Sequence, residues 1–335
     1  MRPEPRGIRH FCRPPSSIRE NDNEAWSDAK FGTIANLIIL LALILSYSSF
    51  NFKSKIVKER EKLFESSQSV SEKVITKETI SELPSIIQKW LINNGTISKK
   101  PIYNVYLTQE LQLKLKPEQT TWNYGMAEQY FTIQPPAFNW NINTEMNSIL
   151  SIVGRDKFVD GKGEMVIKLL SLIPVANTKN NEKVNQATLQ RYLAEIVWFP
   201  SASLNEYIKW EPIDDNSARA IMEYKGTEGS GVFHFNENGD FKKFIAMRYK
   251  DARDAEPAEW TVTASETAVR NGIRIPVQSE VKWKLDDSEW TWLKLRISDI
   301  KYNGLFTLQI ARSTSGNHIK EILSAKNKLK NFFYD

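Results

Sequence analysis

At 335 residues, with 41% hydrophobic and 25% charged side chains, the chain is long and apolar enough to bury a sizeable core, which excludes a disordered protein. Its formal net charge is +5, but outside residues 1–30 and 51–80 the balance falls to +2, too little concentrated positive charge for nucleic acid to be the main partner. Cys12 is the only cysteine and the three histidines, His10, His234 and His318, are far apart, so neither an intrachain disulfide nor a cysteine- or histidine-based metal centre is expected, and no cofactor is implied.

Residues 1–30 are polar, carry prolines and show no periodicity, and they read as a disordered arm. Cys12 lies upstream of the apolar run rather than after it, which argues against a lipid-modified cysteine. Residues 31–50 follow without one charged side chain. Twenty helical residues at 1.5 Å each match the ~30 Å hydrocarbon layer, so this stretch predicts a single transmembrane helix. A cleaved signal peptide is the alternative, with Ser46, Ser48 and Ser49 as small residues. Tyr47, Phe50 and the length of the run favour an uncleaved anchor. Lys53, Lys55, Lys58, Arg60 and Lys62 would hold the C-terminal body in the cytoplasm by the positive-inside rule. Counting the whole arm gives near parity, so charge does not decide the side.

Residues 51–80 are rich in Lys, Glu and Ser and read as a helical or flexible stalk. A β-rich globular domain is expected over residues 81–303, and it opens on a short helix bearing Ile86, Ile87, Trp90 and Leu91. From Pro101 the period changes to two: Leu111, Leu113 and Leu115 alternate with Gln112, Lys114 and Lys116, the pattern of a half-buried strand. Further alternating segments bounded by glycine, proline and Asn-Gly turns bring the expected total to about eleven strands. One helix interrupts them. Leu189, Tyr192, Leu193, Ile196 and Val197 recur on a 3.6-residue period over residues 185–199, with Asn185 as the expected N-cap and Pro200 as the stop. The fold class is therefore mainly β (α+β): a large antiparallel curved sheet or half-barrel wrapping one central helix. Residues 304–335 have a loose apolar stripe among lysines and read as a helical tail, docked on the body or lying on a membrane surface.

The chemistry is sparse, and the sequence assigns no catalytic residue. Asp156 and Asp160 sit in a charged, glycine-bearing stretch between two strands, where Asp-Gly is ordinary turn chemistry. Glu195 sits on the helix, where Arg191 is its nearest partner. A carboxylate-dependent hydrolase would need Glu195, Asp156 and Asp160 in one cleft with separated pKa values. Nucleophile elbows, Walker loops, HExxH and EF-hand loops are absent. Aromatic residues are the more suggestive signal: Tyr192, Trp198, Phe199, Tyr130, Phe138 and Trp140 are candidates to line a concave face where a lipid or apolar ligand lies. Trp198 and Phe199 are expected near the mouth of the sheet. A core helix that only plugs the sheet is the competing interpretation, and a scaffold binding another envelope protein is the functional alternative.

The strings A-E-Q-Y-F, P-P-A-F-N-W, G-R-D-K-F-V-D-G-K-G-E-M, L-Q-R-Y-L-A-E-I-V-W-F-P-S-A and N-G-I-R-I-P resemble an uncharacterised family of bacterial membrane-anchored domains, over residues 83–303. A family of unknown function carries over no catalytic residues. The order of strands, one helix, then strands is similar to the half-barrel of LolA-like lipoprotein carriers. That likeness implies a non-catalytic, lipid-holding body on the extracytoplasmic side of a bacterial membrane, although fold does not fix function.

Overall fold

The computed structural model describes residues 18–67, 73–145 and 150–304, and the chain divides into two compact units, residues 1–50 and 51–335. Part of the expected arm (residues 1–17) and nearly all of the expected tail (residues 305–335) lie outside the described residues. Helix α1 runs Ile18–Glu65, so it starts inside the stretch read as an arm and continues through the apolar run into the stalk. Within the first unit Ile34, Leu37, Leu40, Leu43 and Tyr47 are all more than half exposed. Among the described residues this is the one helix long and apolar enough to cross a membrane.

The second unit holds a 13-stranded antiparallel sheet. Helix α2 (Ser85–Asn93) precedes β1 (Asn104–Leu113), β2 (Asn123–Thr132), β3 (Ala137–Glu145), β4 (Ser151–Val159), β5 (Lys162–Leu169) and β6 (Ile173–Lys179). Helix α3 (Glu182–Glu195) follows, and two short 3-10 turns lead to β7 (Ile208–Asp214), β8 (Ser217–Tyr224), β9 (Thr227–Phe235) and β10 (Phe241–Arg248). The chain finishes with β11 (Ala258–Arg270), β12 (Ile273–Lys284) and β13 (Glu289–Tyr302). The order is β6-β5-β4-β3-β2-β1-β13-β12-β11-β10-β9-β8-β7, two meanders joined where β1 pairs with β13. The sheet is therefore a single curved layer with free edges at β6 and β7.

One strand escapes sequence pattern. Strand β6 is exposed along most of its length and carries Pro174, so it has no buried face to enforce alternation. Strand β1 shows the opposite: Leu111 and Leu113 are buried as their spacing predicts, while Leu115 is half exposed because the strand ends at Leu113.

Helix α3 connects the two sheet edges and packs across the concave side, mainly against β5 and β9. Glycines on both flanks make room for it. A Cβ on Gly163 would lie 2.4 Å from Thr188 Oγ1 and 2.7 Å from the Val184 carbonyl; one on Gly229 would lie 2.8 Å from Gln190 Cγ. Gly163→Val should therefore push α3 off the sheet. The expected loss is about 1–3 kcal/mol, the range for overpacking, read from the urea midpoint with an unchanged slope. The N-cap is Asn181, whose Oδ1 accepts from Val184 N at 3.2 Å, and not Asn185, whose Oδ1 instead accepts from Gly163 N at 2.8 Å. Asn185 was a plausible cap by residue type, but its side chain ties the helix to β5. At one end of the curl the β4–β5 and β8–β9 turns meet: Thr227 Oγ1 donates to the Gly161 carbonyl at 2.7 Å and Lys225 pairs with Asp160.

The helix continues past the apolar run onto the convex face of the sheet. Phe52 and Ile56 pack with Val166 and Val153, while Leu63 and Phe64 pack with Tyr130 and Ala137. Arg60 is buried, 2.9 Å from Glu128 and with its guanidinium 4.2 Å above the Tyr130 ring. Glu59 reaches Arg155 and Lys157, both at 3.5 Å, and these also hold Glu164, at 3.0 and 3.3 Å. The stalk begins as a docked helix.

Glu164 reports on this contact. Burial would raise its pKa, but hydrogen bonds and charge from Arg155 and Lys157 outweigh that and hold it below the usual carboxylate range. A carboxyl depressed in the folded state contributes stability above its unfolded pKa of about 4.3 and loses it as pH falls through the folded value. Thermal melts from neutral to acid pH should thus show a shallower acid loss for Glu164→Gln than for the parent. Equal slopes would mean that the pairing is too solvated to matter.

Candidate functional site

Strand register builds the site from one cross-strand row. Leu107 faces Gln129, Gln129 faces Trp140, Trp140 faces Asp156, and Asp156 faces Met165. The next row along is Val105, Phe131, Phe138, Phe158 and Gly163, an aromatic strip that runs down to the glycine under α3. Tyr192 lies on this strip, its ring 6.2 Å from both Phe131 and Phe158. Arg191, one residue earlier, lies over the polar row.

Arg191 brackets two carboxylates. Its Nε donates to Glu195 Oε1 at 2.9 Å and its NH1 group to Asp156 Oδ2 at 2.8 Å, while its guanidinium stands 4.6 Å over Trp140 and 5.1 Å over Phe138. Gln129 Nε2 completes Glu195 from the other side at 2.7 Å, and Trp140 Nε1 donates to Gln109. The three charged side chains are only 12–16% exposed. Burial alone would lower the Arg191 pKa; Glu195 and Asp156 overcome it and keep the guanidinium charged. Burial raises the Glu195 pKa against the pull of Arg191 and Gln129.

A second arginine lies close by. Arg248 Nε donates to the Ala187 carbonyl at 2.8 Å, with the guanidinium 4.7 Å over Trp260 and 5.7 Å over Trp283. Burial, the largest effect, pushes its pKa down to about 10, which leaves it charged at neutral pH. Arg248, Asp156, Thr188, Lys183 and Lys250 line a small cavity of about 40 Å³ beside the first turns of α3. The cavity is roomy enough for water or the end of a polar group, not for a whole ligand.

The structure brings Asp156 and Glu195 together but leaves Asp160 on the hairpin tip with Lys225, 63% exposed. Both carboxylates in the site are counter-ions to one arginine. Among the described residues no group of three or more His, Cys, Asp or Glu side chains could hold a metal. Of the aromatic candidates, Tyr192, Phe199 and Phe138 have no accessible surface, and the Tyr192 hydroxyl donates to the Thr132 carbonyl at 3.1 Å. Trp198 is buried too, its Nε1 bonded to the Pro276 carbonyl, so neither it nor Phe199 lies at an opening. Only Trp140 is half buried beside the charged cluster. Tyr130 lies on the convex face against Phe64 and Arg60, because strand alternation gives the concave position to Phe131. Gln129 and Arg248 were not among the residues chosen from sequence. Parity could have found Arg248: Phe244 and Ala246 point inward, so Arg248 does as well.

Comparison with known proteins adds a family but no activity. The model of a family of unknown function, DUF6920, matches residues 81–302. No curated protein matches the chain. One similar solved structure is a LolA superfamily protein, NE2245, from Nitrosomonas europaea. It is 10% identical, with 69% of this chain and 95% of that one covered at a TM-score of 0.33. Another is a beta-barrel-like protein of domain of unknown function DUF1849 from Brucella abortus, 11% identical, with coverage of 60% and 98% and a TM-score of 0.22. At these scores neither structure bears on what the chain binds.

Proposed function

We propose a function for a chain that belongs to the DUF6920 family, a family of unknown function: it is a membrane-anchored, non-catalytic binding module of the bacterial envelope that takes a lipid or other apolar ligand between its concave sheet and helix α3. Residues 31–50 are the anchor, and the body lies on the extracytoplasmic side. The observation that carries this is how α3 closes the sheet. It is the covalent bridge between two free edges, so it can swing without breaking a strand pair. Beneath it lies the apolar strip of Phe131, Phe138 and Phe158, continued across the sheet by Phe233 and Phe244.

The docked face of α3 is unusually polar for a helix over such a surface. Thr188 and Gln190 are buried with Arg191 and Glu195 close behind, and Gln190 Nε2 donates to the Ser230 and Met247 carbonyls. Gln190 Oε1 and Gln129 Oε1 are buried without a hydrogen-bond partner. A buried unsatisfied polar atom costs about 1–3 kcal/mol, which favours release of the helix when an apolar chain replaces it on the sheet. The filled core favours the second reading, a scaffold that presents its surface to an envelope protein.

Native mass spectrometry of protein purified from its own membrane, with lipid extraction, separates the two. A co-purifying lipid is the expected result; an empty body with a stoichiometric protein partner would establish the scaffold instead. The orientation has its own test in protease treatment of intact spheroplasts. The body should be cut there, and a body that survives until lysis lies in the cytoplasm.

A further inference from the structure

The β5–β6 hairpin exposes apolar side chains that the rest of the sheet does not cover. Leu172, Ile173 and Val175 are 39%, 53% and 62% exposed and follow one another through the turn into the edge strand β6. In the three-residue loop between Leu169 and Ile173, Leu170 and Ser171 take positive φ, 52° and 59°, the left-handed region that Asn and Gly ordinarily supply in hairpin turns. A branched aliphatic residue in that conformation is disfavoured, so the turn keeps leucine at a conformational disadvantage. An exposed apolar edge strand is also an aggregation hazard unless something covers it.

What covers it is indicated by where the hairpin lies. Phe52 follows the apolar run of α1 by two residues. Its ring is 5.3 Å from Lys168 Nζ and packs with Val166, both on β5, the strand that leads directly into this turn. Phe52 therefore sits beside the hairpin within the second unit. A second copy is the other occupant to consider, but Pro174 removes a backbone donor from β6 and hinders edge-to-edge pairing.

We propose that the β5–β6 hairpin is a second membrane contact, with Leu172, Ile173 and Val175 seated in the interfacial layer of a lipid bilayer and Lys168 at the level of anionic headgroups. This rests on residues 31–50 spanning that bilayer.

The test uses the full-length chain with Cys12→Ser and one new cysteine at a time, Ile173→Cys, Ile39→Cys or Met247→Cys. Each is labelled with an environment-sensitive fluorophore and reconstituted in vesicles of phosphatidylcholine and phosphatidylglycerol containing nitroxide-bearing lipid. Met247, 55% exposed on β10, is the aqueous control. The expected result is blue-shifted emission at positions 173 and 39, with quenching several-fold above that at 247, in variants whose circular dichroism matches the parent. A buried label at 39 with an aqueous label at 173 overturns the hairpin contact alone. An aqueous label at 39 overturns the anchor and the hairpin contact with it. Equal quenching at 173 and 247 shows non-specific adsorption and also overturns the contact.

Discussion

Arg191→Met should destabilise the body by about 3–5 kcal/mol, the usual penalty for removing one partner of a buried ion pair. The size follows from what is left behind. Asp156 loses a 2.8 Å hydrogen bond and Glu195 a 2.9 Å one, and both carboxylates remain mostly buried, with Gln129 Nε2 still donating to Glu195 at 2.7 Å. The apolar stem of methionine fills much of the arginine volume over Trp140 and Phe138, so a cavity contributes little. Removing the charges together should recover part of the loss: the triple change Arg191→Met, Glu195→Leu, Asp156→Leu is expected to be markedly more stable than Arg191→Met alone. Urea unfolding of a fragment beginning at Asn51 can measure this, because α1 from Phe52 onward belongs to the body's packing. Equal stability of parent and single variant would show that water enters the cluster freely and that it does not clamp α3.

Phe199→Ala should cost about 3–5 kcal/mol, as for other fully buried aromatic residues. Its ring lies 4.7 Å from Phe131 and 5.7 Å from Tyr192, with no accessible surface. The same measurement on Leu193→Ala, also fully buried, should fall within about 2–5 kcal/mol. From sequence alone, the aromatics after the helix were expected near an opening and so to tolerate truncation better than the helix centre. The structure removes that difference: Leu193, Ile196 and Phe199 are all fully buried and Trp198 nearly so. A loss below about 1–2 kcal/mol at Phe199 would mean that this end of the sheet opens in solution, and ligand binding would then be sought there first.

These two results weigh differently on function. A large Arg191 effect with an intact Phe199 core describes a helix held by an ionic clasp over a filled, open-edged sheet. If lipid also co-purifies, ligand entry requires α3 to leave its clasp. If no lipid is found, the same clasp is simply structural and the scaffold reading gains.

Much of the architecture was legible in the chain. The period of two in β1, the glycine and Asn-Gly turns, and the period of 3.6 around Leu189 and Tyr192 are local consequences of side chains that alternate between one apolar face and one wet face. Strand β6 was not legible because an exposed edge has no such face. The helix boundary was misplaced by four residues at its start, since Asn181 and Asn185 are equally good caps and only the approach of Gly163 assigns Asn185 to the sheet.

The site divides in the same way. Sequence could name Asp156, Asp160 and Glu195 as carboxylates of interest, but it could not say which converge. Register decided that: Asp156 falls opposite Trp140 on the concave face, while Asp160 falls in the turn and goes to Lys225. By itself the sequence determined an apolar helix of membrane-spanning length, a strand-rich body and one helix within it, because each depends on residues close together in the chain. Only the tertiary structure decided that α1 docks on the convex face through Arg60 and Glu59, that Tyr130 faces that helix and not the concave side, and that Arg191 ties α3 to β4. Those contacts join residues 35 to 98 positions apart, and no local pattern of hydrophobicity or charge records which distant partner a buried side chain will meet.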